Sequence, residues 1–457
     1  MGNNESVRLT EGRILKPLLL FALPIFAGQL LQTLYHSVDS IVIGNFVGTD
    51  ALAAVTASSS IANTLAGFFN GLSAGATVLF SQRFGAKEYD KLNRAIHTTM
   101  LFSVIFGGVM AAIGIILTPR LLQFVACPST VYAQALLYLR IYLVGILFTS
   151  MYNISASVLR SVGNSRSPFL FLLISSILNI ILDILFVAVF GMGIKGVAIA
   201  TVLAQVVSVI LSVRKMTKLP EAYRFRPSKM NMDPAVLKQV AHLGLPAGIQ
   251  SSVVSIAMIF VQRFINEFGA VTIAGIGAGM RIDQFAGMPC QALGLAMTTY
   301  IGQNVGAGKY DRTHKGVAVG FAAVIIQIVA LGTPMYIFAP QLARIFGSDP
   351  AVIEMCTLFL RTILPLYLFM GLNGLMGGIV RGYGYSIYAM ASTLIGMVLI
   401  RQIWFSVSLR INHVITNIII GYPIGWICSF TFLFSFYLLY IRKRFKGSTS
   451  PDERITS

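Results

Sequence analysis

The chain has 457 residues, of which 56% are hydrophobic and only 11% charged, and its mean hydropathy is +0.78. A soluble domain carries about 25% charged residues, so a water-soluble core cannot absorb this much apolar side chain, whereas a bilayer can. The net charge of +18 invites a nucleic-acid reading, but the placement of the basic residues argues against it.

A helix rising about 1.5 Å per residue needs about 20 apolar residues to cross a hydrocarbon core about 30 Å thick. In chain order, twelve such segments are predicted at about residues 17–44, 50–80, 95–118, 132–160, 168–190, 194–213, 237–266, 272–302, 316–339, 352–380, 387–410 and 415–441. They break at Gly, Pro and charge clusters, among them Thr118-Pro119-Arg120, Gly347-Ser348-Asp349-Pro350 and the stretch from Arg214 to Asp233. Several exceed the bilayer thickness, which implies tilt or extension into water. The fold class read here is therefore an all-α membrane protein.

The basic residues then fix an orientation. Arg8, Arg13 and Lys16, then Arg83, Lys87, Lys91 and Arg94, then Arg160 and Arg166, then the run from Arg214 to Lys238 fall on one side, as do Lys309, Arg312, Lys315, Arg381 and the tail from Arg442. The other side collects Arg120, Lys195, Arg344 and Arg410 in its loops. The positive-inside rule places both termini in the cytoplasm. On this reading the basic surface reports topology and contact with anionic membrane lipids, with no nucleic-acid partner. The first apolar run is too long for a signal peptide and lacks a clear cleavage site.

Cys127, Cys290, Cys356 and Cys428 show neither CxxC nor Cys/His metal spacing. GxxxxGK[ST], GxSxG and HExxH are absent, so no enzyme activity and no cofactor are expected, and any work must draw on an ion gradient.

Laid over itself at a shift of about 221 residues, the chain matches along most of its length. Gly85-Ala86-Lys87-Glu88-Tyr89-Asp90 falls on Gly306-Ala307-Gly308-Lys309-Tyr310-Asp311, Leu139-Arg140 on Leu360-Arg361, Arg160-Ser161-Val162-Gly163 on Arg381-Gly382-Tyr383-Gly384, and Pro24 near Pro246. Two homologous lobes of six helices are read from this, at residues 1–213 and 235–441, with a cytoplasmic linker at 214–234 and a basic tail at 442–457. An even number of helices per lobe gives a parallel repeat, which favours a central cavity and rocking-type alternating access.

Asp39 and Asp183 sit inside membrane-length apolar stretches. A carboxylate at the bilayer centre costs at least ~2.5 kcal/mol, so it is retained to bind a cation, carry a proton or line a watery path. A structural carboxylate would need a buried basic partner, and Arg140, Arg263, Arg281, Arg361 and Arg401 are the intramembrane candidates. Asn179 and Asp183, at i and i+4, share one helix face. Asp283 is the clear acid of the C-lobe, open to pairing with Arg263 or Arg401 or to meeting a cationic substrate.

The run Leu34 to Gly44, Ser81-Gln82-Arg83-Phe84-Gly85-Ala86-Lys87 with its counterpart Gly302 to Lys309, Leu159 to Asn164, and Asn179-Ile180-Ile181-Leu182-Asp183 together resemble the multidrug and toxic compound extrusion (MATE) family, in its bacterial DinF/MepA-like branch. The resemblance covers nearly the whole chain. It implies a MATE-like fold, a functional monomer in the bacterial inner membrane, and antiport of small organic cations or drugs against protons or Na+. It further implies an N-lobe coupling site at Asp39, Asn179, Asp183 and Thr201, all oxygen ligands suited to Na+ or a shared proton. Asn179 and Thr201 also read as interhelical hydrogen-bond partners. His36, one turn before Asp39, either relays protons or makes a plain hydrogen bond. Pro24 is a candidate hinge in the first helix. Gln250, Met258, Met280, Asp283, Gln284, Met288 and Gln291 are candidate cavity residues. A lipid-linked sugar flippase or metabolite exporter is the alternative, which would need basic cavity residues from Arg263, Arg281 and Arg401; a receptor or channel fits the two-lobe repeat less well.

Overall fold

Within a bilayer every backbone N–H and C=O has to find its partner inside the segment, so apolar stretches of this length close as helices. The computed structural model describes residues 7–445, and among them there is no strand. Twelve long helices follow one another: α1 Leu15–Val47, α2 Thr49–Gly85, α3 Tyr89–Phe124, α4 Tyr132–Ser161, α5 Arg166–Val189, α6 Gly193–Met216, α7 Pro234–Asn266, α8 Ala270–Gly306, α9 Tyr310–Ile337, α10 Pro350–Gly382, α11 Ser386–Ile411 and α12 Ile415–Arg444. A six-residue helix, Ala339–Arg344, lies between α9 and α10. The basic tail beyond Phe445 lies outside the described residues.

Eleven of the twelve are apolar and long enough to cross a membrane. The twelfth, α8, is 37 residues long and carries Arg281 and Asp283 near its middle. Helices overrun the apolar stretches: α3 starts at Tyr89, before the predicted 95, and α8 runs on to Gly306. Hydropathy marks where hydrocarbon ends, while backbone hydrogen bonding carries the helix further into water.

The helices are not uniform. Ile43–Val47 ends α1 as a π-helix, Ile184–Val189 does the same for α5, and Leu394–Ile400 interrupts α11. Pro24 sits inside α1 and Pro246 inside α7.

The chain divides into two contact-defined units: a first of Ala27–Gly248 with Val7, and a second of Arg8–Phe26 with the chain from Ile249 onward. These limits differ from lobe limits drawn at the linker. The first half of α1 belongs to the second unit and the first half of α7 to the first, and both exchanges fall two residues after the helix proline.

In the first unit α7 lies directly on α2. A Cβ added at Gly75 would come within 2.2 Å of Gly244 Cα, and one at Gly71 within 2.4 Å of the Ala247 carbonyl, so only glycine permits the approach. The linker docks on the start of α3: the Arg226 N–H donates to His97 Nε2 at 3.0 Å and Thr98 donates to the Asn231 carbonyl at 3.0 Å. Phe80, Ile96, Val158, Leu159, Met216 and Phe225 pack beside it. In the second unit the core gathers Phe359, Leu360, Tyr367, Phe405, Ile418 and Trp426. Residues 9–12 dock on the α8–α9 junction there: Arg312 donates to the carbonyls of Leu9, Glu11 and Gly12, and Lys309 to that of Thr10.

Candidate functional site

Asp39 on α1 and Asp183 on α5 come together in the first unit, 9% and 0% exposed. Asn179, one turn before Asp183 and fully buried, lies between them. With its amide nitrogen turned to the acids, Asn179 Nδ2 donates to Asp39 Oδ1 at 3.0 Å and to Asp183 Oδ2 at 3.2 Å. The two carboxyl groups are themselves in hydrogen-bond contact. Thr201 on α6, 2% exposed, donates to the Val197 carbonyl at 3.0 Å and accepts from Tyr35 Oη at 3.4 Å. Asp39, Asn179 and Asp183 are thus in contact, while Thr201 meets Tyr35, one turn before Asp39.

Among the described residues neither carboxyl is ion-paired with Lys, Arg or His. Two like charges in contact and out of water cannot both persist without a compensating positive charge. One shared proton or one small cation supplies it. Asp183 Oδ1 is buried with no partner among the described residues, an orphan that costs about 1–3 kcal/mol if nothing binds it. Carboxylate oxygens are donors of the kind a hard monovalent cation takes, so the pair fits Na+ as well as a proton, while Asn179, with its nitrogen toward both acids, offers no oxygen there.

Local backbone geometry departs from the α-helix at the same place, as it does again in α11 and α12. The π-helical end of α1 begins four residues after Asp39, and that of α5 begins at the residue after Asp183. π-Helical turns inside α-helices are frequent at functional sites.

Three tyrosines complete the surroundings without having been singled out in the sequence. Tyr35 reaches Thr201, and Tyr138 and Tyr142, stacked at 6.0 Å between ring centroids, lie within electrostatic reach of Asp39. The signal was present: Tyr35 precedes Asp39 by one turn, and Tyr138 and Tyr142 share one face of α4 at i and i+4. His36 points elsewhere. It is exposed, its ring lies 4.7 Å from that of Tyr35, and it makes no hydrogen bond to Asp39 among the described residues.

In the second unit Asp283 meets neither arginine that the sequence offered it. Its carboxylate accepts from Tyr367 Oη at 2.6 Å, while Arg263 and Arg281 are exposed and Arg401 lies over Tyr422 at 5.4 Å. A neutral phenol hydrogen-bonds a carboxylate without the cost of burying a second charge. Of the candidate cavity residues, Met280 and Met258 pack near Tyr422 and Arg401. Gln250 donates to Thr393 at 2.8 Å, Met288 is buried, and Gln284 and Gln291 are exposed. Pro24 is half-buried in α1.

A sequence profile of the MatE family matches residues 24–185 and again residues 246–407. The chain belongs to the MatE family. The two matches begin 222 residues apart (246 − 24), in step with the internal repeat. This MATE transporter is similar to the probable multidrug resistance protein YpnP of Bacillus subtilis (strain 168), with 32% identity over 395 residues, 86% of this chain and 88% of the relative. It is also similar to the multidrug export protein MepA of Staphylococcus haemolyticus (strain JCSC1435), 22% identical over 444 residues, 96% and 97% of the two chains. The fold matches the outward-facing structure of a multidrug resistance MATE family transporter of the MOP superfamily, with a TM-score of 0.86 and 21% identity over 98% and 99% of the chains. The protein is a multi-pass membrane transporter of the bacterial MATE type.

Proposed function

We propose that this MATE transporter exports organic cations in exchange for protons or Na+, by alternating access, with the coupling ion held at Asp39, Asn179, Asp183 and Thr201. The observation that carries the reading is the contact of two buried carboxyls with no basic partner among the described residues. An ion gains leverage over conformation only by binding the two states unequally, about 1.4 kcal/mol for each tenfold shift in their ratio. Two carboxyls on separate helices meet that requirement: neutralising the pair favours α1 beside α5, and leaving both charged drives them apart. The names of its relatives, YpnP and MepA, point to drugs as cargo. The basic loops favour both termini in the cytoplasm of a bacterial cell, and the family resemblance favours a monomer as the working unit.

The test is transport by the purified chain in liposomes. Ethidium should accumulate against its gradient when a proton or a sodium gradient is imposed across the membrane, and ionophores that collapse the effective gradient should abolish it. Accumulation that persists with every ion gradient collapsed, or none under either gradient, sinks the reading. No further cofactor is called for.

A further inference from the structure

The internal repeat allows the coupling site to be compared with its own counterpart. A shift of 221 residues carries Thr201 on α6 to Tyr422 on α12 (201 + 221), and places Arg401 on α11 one residue beyond the position of Asn179 (179 + 221 = 400). The position of Asp39 falls at Phe260 on α7 (39 + 221), two residues after Met258. The three helices that hold paired carboxyls in the first unit therefore correspond to three that present Met258, Arg401 and Tyr422 in the second.

Those residues touch. The Arg401 guanidinium lies 5.4 Å from the Tyr422 ring centroid, and its Nη2 is 3.8 Å from Met258 Sδ. Arg401 is 2% exposed, its Nε has no partner, and among the described residues no carboxylate pairs with it. A guanidinium offers five donors, and a thioether with one aromatic face answers few of them. A buried charge left in this condition is costly unless an anion completes it. Asp283 is not that anion, because among the described residues no ion pair joins it to Arg401.

The rings of Tyr422, Trp426 and Tyr367, spaced 6.5 and 5.8 Å, run from Arg401 to Asp283. A positive group and a negative group thus stand at the two ends of an aromatic row. Immediately before Arg401, α11 is π-helical over Leu394–Ile400, and a Cβ at Gly396 would come within 2.7 Å of the Ser429 nitrogen on α12. π-Helical turns of this kind are frequent at functional sites.

We infer that Arg401 is a specificity-determining residue that receives the acidic group of the exported molecule. The second unit then favours molecules that carry a carboxylate. The inference rests on the export reading above and names its substrate class.

Rhodamine B, which bears a free carboxylate, and its ethyl ester, which does not, form a matched pair of probes. Binding of each to the purified full-length protein is measured by fluorescence anisotropy. Arg401→Gln and the apolar Arg401→Met, which removes the buried charge, should each shift the acid-to-ester ratio of Kd about tenfold against the acid, about 1.4 kcal/mol; Arg401→Lys should retain most of the preference. Sodium acetate should compete with the acid more than with the ester. An unchanged ratio in the variants, including an equal fall of both affinities, overturns the inference, and so does equal competition by acetate or chloride against both dyes, which assigns the guanidinium to a free anion. Ester accumulation by the wild type under an imposed gradient reports the export reading separately, so the two can fail independently.

Discussion

In the first unit, α1, α5 and α6 bring two carboxyls and an amide into contact; in the second, the corresponding α7, α11 and α12 bring together a guanidinium, a phenol and a thioether. The same inversion recurs in the loops. Glu88, before α3, bonds to Arg83 and Lys91; its repeat position, before α9, is Lys309 (88 + 221), which bonds to the Thr10 carbonyl. One loop is tied by ion pairs within itself and the other by the backbone of residues 9–12. At these two places a duplicated scaffold has kept its helices and changed the sign of its charge, so a candidate cation site in one half does not imply a second in the other.

The sharpest way to break this comparison is to remove the carboxyls. Asp39→Asn and Asp183→Asn should each lower gradient-driven ethidium export about a hundredfold, about 2.7 kcal/mol, while the proteins still insert, because an amide is cheaper to bury than a carboxylate. Asp283→Asn should cost less than about tenfold, a smaller loss on the same scale. Equal losses at all three positions in liposome assays would erase the distinction between the units.

Asn179→Leu removes the donor that serves both acids at once. It should destabilise the protein by about 1–3 kcal/mol, the cost of orphaning buried acceptors, read as a fall in melting temperature in detergent, and ethidium export should fall with it. A leucine variant as stable as the wild type would show that Asn179 is not what holds the pair.

Tyr367→Phe tests the second unit's answer to a buried acid. Losing the 2.6 Å bond to Asp283 should cost about 1–3 kcal/mol, the cost of orphaning a buried acceptor, and restoring a donor with Tyr367→His should recover part of it.

The smallest effect belongs to the loops. Partial burial opposes ionisation of Glu88, but hydrogen bonds from Lys91 and Arg83 outweigh it and hold the carboxyl below its usual range. A depressed carboxyl contributes stability that is present above the unfolded value of about 4.3 and is lost as pH falls through the folded value. Glu88→Gln should therefore lower stability by about 0.2–1 kcal/mol at neutral pH, with the difference from wild type vanishing in acid. A difference that grows on acidification would contradict the sign.

Much of the fold was legible because its signals are local. Twelve apolar stretches, their punctuation by Gly and Pro, and the 221-residue repeat needed only the one-dimensional pattern, and the i, i+4 spacing of Asn179 and Asp183 placed both on one face of α5. The acids themselves announced the site, since an uncompensated carboxylate in an apolar run is expensive wherever it ends up. What the sequence by itself could not decide was who meets whom across helices. That Tyr367 and not an arginine takes Asp283, that Arg401 is left with an aromatic face, that His36 turns away from Asp39, and that α1 and α5 become π-helical beside their acids are all outcomes of helix rotation and packing. A bilayer fixes helix length through hydrophobicity, which is written residue by residue. Rotation about the helix axis is set by close contact, as where Gly71 and Gly75 admit α7, and that exists only once both helices are in place.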